Sequence, residues 1–154
     1  MSVEENVVLM RRWFKEVWNE GRVQTIYDLM DENAIGVGQD EPGRVIHGPR
    51  DFVALFHRLH GAFPDIKITV EDTFGADDKV VVRWSADMTH TGDGLGLPAT
   101  NKRVKITGIT IAQIEHDKIV RGWDNWDQLA LMQQLGVVAV PAKAAAASNA
   151  AAHS

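Results

Sequence analysis

Apolar residues recur along this chain at two different periods, and the change falls near residue 65. Before it the spacing is helical. Val7, Met10, Phe14, Val17 and Trp18 predict a helix over residues 2–20, with Ser2 and Glu5 as a capping box and Gly21 as the stop. Val23, Ile26, Tyr27 and Met30 form the stripe of a shorter second helix. Gly48-Pro49 opens a third, with Phe52, Leu55, Phe56 and Leu59 on one face. Between the second and third, the Gly- and Pro-rich stretch IGVGQDEPGRVIHG predicts short strands and turns.

After Asp65 the pattern alternates, as a half-buried strand requires. Ile66, Ile68 and Val70 share one face. In KVVVRWSADMTH the apolar face holds Val80, Val82, Trp84, Ala86 and Met88; Arg83 falls on the other. In RVKITGITIAQIE it holds Val104, Ile106, Gly108, Thr110, Ala112 and Ile114. Glu115 to Lys118 is a hairpin turn, IVRGWDNW the last strand, and Asp127 the cap of a final helix with Leu129, Met132 and Leu135. Long helices followed by hairpin-linked strands predict an α+β domain, with an antiparallel sheet carrying helices on one face. We expect a single domain over residues 1–140 and an alanine-rich tail over 141–154.

Composition narrows the function. At 154 residues, 45% apolar and 24% charged, the chain suits one globular core. A net charge of −5 with no basic cluster argues against nucleic-acid binding. No cysteine is present, which excludes disulfides and thiol nucleophiles. No apolar run is long enough for a membrane span, and MSVEENVV lacks a signal core, so a cytoplasmic location is expected. No HExxH or carboxylate-pair pattern predicts a metal site, and GDGLGLP does not lead into a helix as a phosphate loop would. No cofactor is expected.

The segments AFPD (62–65), DDKVVVRWSADMTHTG (77–92), GLPATNKRVKITGI (96–109) and DKIVRGWDNWDQLALMQQLG (117–136) together resemble the SnoaL-like polyketide cyclases of the NTF2-like superfamily. The resemblance spans roughly residues 4–137. It implies a cone-shaped barrel: a curved antiparallel sheet and three N-terminal helices enclosing a cavity. It also implies an aldol-type ring closure without metal or cofactor. Since this fold hosts many activities, the site has to carry the functional argument.

Alternation splits the last strand into Ile119, Arg121, Trp123 and Asn125, or Val120, Gly122, Asp124 and Trp126, and hydrophobicity does not choose between them. The resemblance selects the second set as the pocket face and Asp124 as the general base. Apolar walls raise an aspartate's pKa toward neutrality, which suits proton abstraction from carbon. The expected lining is Trp84, Ala86, Met88, Ile106, Ala112, Ile114, Val120, Gly122 and Trp126, with Gln39 and Tyr27 as polar contacts from the helical side. The resembling cyclases carry a histidine on the neighbouring strand. Its counterpart here is at or near Thr110, and no histidine lies between Arg103 and Glu115. Thr110 is therefore the expected polar assistant, with His90 as a substitute acid at the cavity rim. Asp127 is read as a helix cap.

Two other functions fit the same pocket: a non-catalytic binder of a small hydrophobic ligand, and a hydrolase- or hydroxylase-type enzyme in which Asp124 activates water. Val81, Ile109 and Ile111 make the outer sheet face unusually apolar, and related proteins dimerise there, so a homodimer through that face is expected.

Overall fold

A computed structural model describes residues 2–139. The alanine-rich tail expected over 141–154 lies outside the described residues. Helix α1 (Val3–Trp13) starts where the Ser2 hydroxyl accepts the Glu5 amide hydrogen at 3.0 Å. It widens into a π-helical turn, Phe14–Asn19, before α2 (Val23–Leu29). Strands β1 (Met30–Val37) and β2 (Val45–His47) precede α3 (Gly48–Ala62). Then come β3 (Lys67–Ala76), β4 (Lys79–Thr89), β5 (Arg103–Glu115), β6 (Lys118–Trp126) and α4 (Gln128–Gln134).

The six strands form one curved sheet in the order β2-β1-β6-β5-β4-β3, and its edge strands do not pair to close a barrel. Every pairing is antiparallel except β1 with β6, which run parallel. That corrects the expectation of a wholly antiparallel sheet. The chain leaves β1 through β2 and α3 and crosses the whole sheet before β6, and so long a crossover permits parallel pairing.

The helices cover the concave face. α1 packs on β3 and β4, and α3 packs on β1 and β2. Burial follows the alternation on β4 and β5: Val80, Val82, Trp84, Ala86 and Met88 of β4, and Val104, Ile106, Gly108, Thr110, Ala112 and Ile114 of β5, all face the core. α2 departs from its predicted stripe. Its buried residues are Thr25, Ile26 and Leu29, while Tyr27 is exposed. The helix ends at Leu29, and Met30 is already extended (φ −104°, ψ 130°). With Met30 in β1 rather than on the helix, the inward face turns to Leu29 and carries Tyr27 outward.

Candidate functional site

A two-residue turn, with His116 and Asp117 both at positive φ, links β5 to β6, as a tight hairpin requires. Regular pairing out of that turn sets Glu115 opposite Lys118 and Ile114 opposite Ile119. Continued without a break, it would bring Thr110 opposite Trp123. The register instead shifts once: Gln113 pairs with Arg121, which leaves Val120 as the extra residue of a bulge. Beyond it Ala112 faces Gly122, Thr110 faces Asp124, and Gly108 faces Trp126. Opposite residues share a face of the sheet, so Asp124 enters the domain because of this bulge. It also corrects the expected wall: Ile119 lines the cavity in place of Val120, and Ile114, buried opposite Ile119, does not line it.

The cavity lies between the concave sheet and the helices and has a volume of about 110 Å³. Of the residues expected around it, Trp84, Ala86, Met88, Ile106, Ala112, Gly122, Trp126, Gln39, Thr110 and Asp124 all line it. Its helical wall is aromatic, built of Trp13, Phe14, Trp18, Phe52 and Phe63, with the Trp13 and Trp18 rings packed edge-on against Phe52 at 5.0 and 5.9 Å. Their helical periodicity was legible in the sequence, but it marks a buried stripe without telling core from cavity. Among the described residues, Asp124 is the one ionisable side chain in the lining.

Asp124 has three close neighbours. The Thr110 hydroxyl donates to Asp124 Oδ1, and the Trp84 indole N–H donates to Thr110 Oγ1 at 3.0 Å. From the other side the Gln39 side-chain amide lies beside the same carboxylate and favours its charged form. Burial pushes the Asp124 pKa up to about 6, against the pull of the Thr110 and Gln39 hydrogen bonds. The residue keeps some accessible surface while its carboxyl lies deep in the protein, as befits a side chain facing an internal cavity.

Gln39 comes from the β1–β2 connection, and glycines make its seat. A Cβ at Gly36 would stand 2.7 Å from Gln39 Oε1, and one at Gly122 3.1 Å from Gln39 Nε2. Gly38, at φ +84°, lies against the Asp124 backbone, where any Cβ would overlap the Asp124 carbonyl oxygen. The Gly38 carbonyl accepts the Trp126 indole hydrogen at 3.1 Å. Asp40 then anchors the connection, taking hydrogen bonds or ion pairs from Arg58 and Arg44, while its carbonyl accepts from Gln128 at 3.0 Å.

Two expected site residues lie elsewhere. Tyr27 is on the outer side of α2, away from the cavity. His90 is fully buried but does not line the cavity. Its Nδ1 accepts the Thr100 amide hydrogen at 3.2 Å and lies 3.0 Å from Thr100 Oγ1, and its ring packs 5.4 Å from Phe63. The chain turns back over the end of α3 here, where the Thr91 and Gly92 amides both donate to the Ala62 carbonyl. That turn places His90 in the junction between α3 and the β4–β5 connection. Asp127 caps α4, accepting the Ala130 amide hydrogen at 2.9 Å. Among the described residues no three His, Cys, Asp or Glu side chains converge as a metal site, and no helix is long and apolar enough to cross a membrane.

Residues 8–135 match the family model described as SnoaL-like polyketide cyclase. Comparison with curated proteins gives no match. The fold is similar to that of a candidate SnoaL-like polyketide cyclase from Jannaschia sp. CCS1, at 22% identity and TM-score 0.79, covering 90% of this chain and 94% of that one. It is similar to AclR, a candidate hydroxylase from Streptomyces galilaeus, at 24% identity and TM-score 0.81, covering 99% and 94%. It is also similar to TsrD from Streptomyces laurentii, at 25% identity and TM-score 0.78, covering 90% and 99%.

Proposed function

Because the chain belongs to the SnoaL-like polyketide cyclase family, we propose that it acts on a small hydrophobic carbonyl compound by cofactor-independent carbon-acid chemistry, with Asp124 as general base. The observation that carries this reading is a lone carboxylate with its pKa raised to about 6, lining an otherwise apolar cavity. Above that pH it is ionised, yet basic enough to accept a proton from carbon. Asp124 makes no ion pair among the described residues, so its charge is not consumed by structure.

In this mechanism the carboxylate takes the proton from a carbon beside a carbonyl. The C–H electron pair becomes a C=C bond, and the carbonyl pair moves onto oxygen. The enolate carbon then attacks a second carbonyl carbon of the same molecule, forming the C–C bond. The new alkoxide takes the proton back from Asp124, which regenerates the base. Thr110 does not serve as an oxyanion donor in this reading: its single hydroxyl hydrogen is directed at Asp124, with Trp84 donating from behind. It acts as a positioning residue.

The experiment is solvent hydrogen exchange, followed by NMR, at the acidic carbon of small neutral dicarbonyl compounds. Asp124→Asn is expected to lower the enzyme-dependent rate roughly 10²–10⁴-fold. Retention of the full rate sinks the assignment of the base. The proposal includes assembly: the outer sheet face, with Phe74 and Ile109 exposed beside Val81 and Ile111, pairs with that of a second copy.

A further inference from the structure

Removing a proton from carbon leaves a negative charge on the substrate oxygen, and some group has to receive it. Among the described residues, four side-chain donors lie on Asp124, on its hydrogen-bonded partner or on its own strand, and three are committed. The Thr110 hydroxyl donates to Asp124, the Trp84 indole to Thr110, and the Trp126 indole to the Gly38 carbonyl. The fourth is Gln39. A side-chain amide carries two N–H hydrogens, so one turned to the carboxylate leaves the other free. Among the described residues no Lys, Arg or His lines the cavity to supply a positive charge.

The seat of Gln39 supports a site role over a chance contact. Its Oε1 is buried with no hydrogen-bond partner, which is an unfavourable state for an amide oxygen. The orientation is held because the opposite one would turn that oxygen toward the carboxylate. Gly36 and Gly122 leave the room, and Gly38 presses the connection onto the Asp124 backbone.

We infer that Gln39 is a catalytic residue of this site: its amide gives one hydrogen to Asp124 and the other to the substrate oxygen on which charge collects. This rests on the carbon-acid reading above and defines the substrate further. The acidic C–H and the oxygen must be adjacent, as in a ketone and its α-carbon, since base and donor are neighbours in the cavity wall. The substrate must be uncharged, because an anion would meet Asp124 with no cation beside it. A volume of about 110 Å³ is comparable to the cavity of roughly 150 Å³ that admits benzene, so the enclosed part holds about one six-membered ring.

A phenolate presents the same charged oxygen on a flat ring as an enolate, so 4-nitrophenol serves as the probe and 4-nitrotoluene as its uncharged isostere. Both are titrated by calorimetry at a pH below the Asp124 value of about 6, and the bound phenolate is followed by its visible absorbance. In Gln39→Leu, 4-nitrophenol is expected to bind about 10- to 100-fold more weakly, the worth of one hydrogen bond to a charged group. The bound phenolate band is expected to disappear, while 4-nitrotoluene binds as to wild type, showing the cavity intact. Gln39→Met, which keeps a similar length and removes the donor, is expected to behave the same way.

Unchanged 4-nitrophenol binding in both variants overturns the inference and leaves Asp124 as base untouched. Equal loss of both compounds gives Gln39 a purely structural role and also overturns it. If wild type binds neither compound, the cavity reading falls together with this one. Conversely, full exchange activity in Asp124→Asn refutes the base without altering the 4-nitrophenol preference.

Discussion

Asp124 sets the pH behaviour of the site. With a pKa near 6 it is protonated in mild acid, so carbon-acid activity is expected to rise through about pH 6 and level off above it. Thr110→Val removes a hydrogen bond that favours the charged form, so the midpoint of the pH–rate profile is expected to move upward. A midpoint that stays put or falls argues against the positioning role of Thr110. The same group acts on stability. Its folded pKa exceeds the ordinary value of 3.8, so between these values the unfolded chain binds fewer protons and stability falls as pH rises. Above about pH 6 the full cost applies, on the order of 3 kcal/mol. Asp124→Asn removes it, and the orphaned Gln39 oxygen can turn to accept from the new amide. Melting at well above pH 6 is therefore expected at a higher temperature for Asp124→Asn than for wild type, with the gap closing toward pH 4. The sequence placed Asp124 through family resemblance. It could not place Gln39 on it, because that contact depends on the path of an irregular connection, and composition shows only glycines there.

Elements were legible where one periodicity ran uninterrupted. β4 and β5 bury the alternate residues their sequences predict, since each strand has one core face and one outer face. α3 begins at Gly48-Pro49 as expected. Errors arose at interruptions. Tyr27 was misplaced because α2 ends one residue before the stripe would have included Met30. Val120 was misplaced because the bulge resets the alternation within β6. Helix α4 offers a separate test: it supplies Leu131 to the cavity wall and starts at the Asp127 cap. Asp127→Ala is expected to lower stability by about 1 kcal/mol. The pH–rate midpoint should stay where it is in that variant; a shift would mean that Asp127 acts on Asp124.

At the scale of the whole molecule, helices and concave sheet enclose the site while the convex face carries Phe74, exposed at 57%, and Ile109 at 45%. Light scattering at micromolar concentration is expected to give the mass of a dimer, and Phe74→Lys with Ile109→Lys that of a monomer. A wild-type monomer counts against pairing through this face. The family match and the fold agree across most of the chain, yet the interior chemistry hangs on one count of residues. From the His116–Asp117 turn to Asp124 the hairpin carries one residue more than regular pairing needs. A chain lacking Val120 would reach Asp124 with the same partner, by pairing regularly. A chain with one residue added between Gly122 and Asp124 would turn the carboxylate out to solvent while leaving β4 and β5 intact. In lineages of this fold, then, loss or recovery of activity needs no substitution in the cavity wall: a single codon gained or lost in the final hairpin suffices.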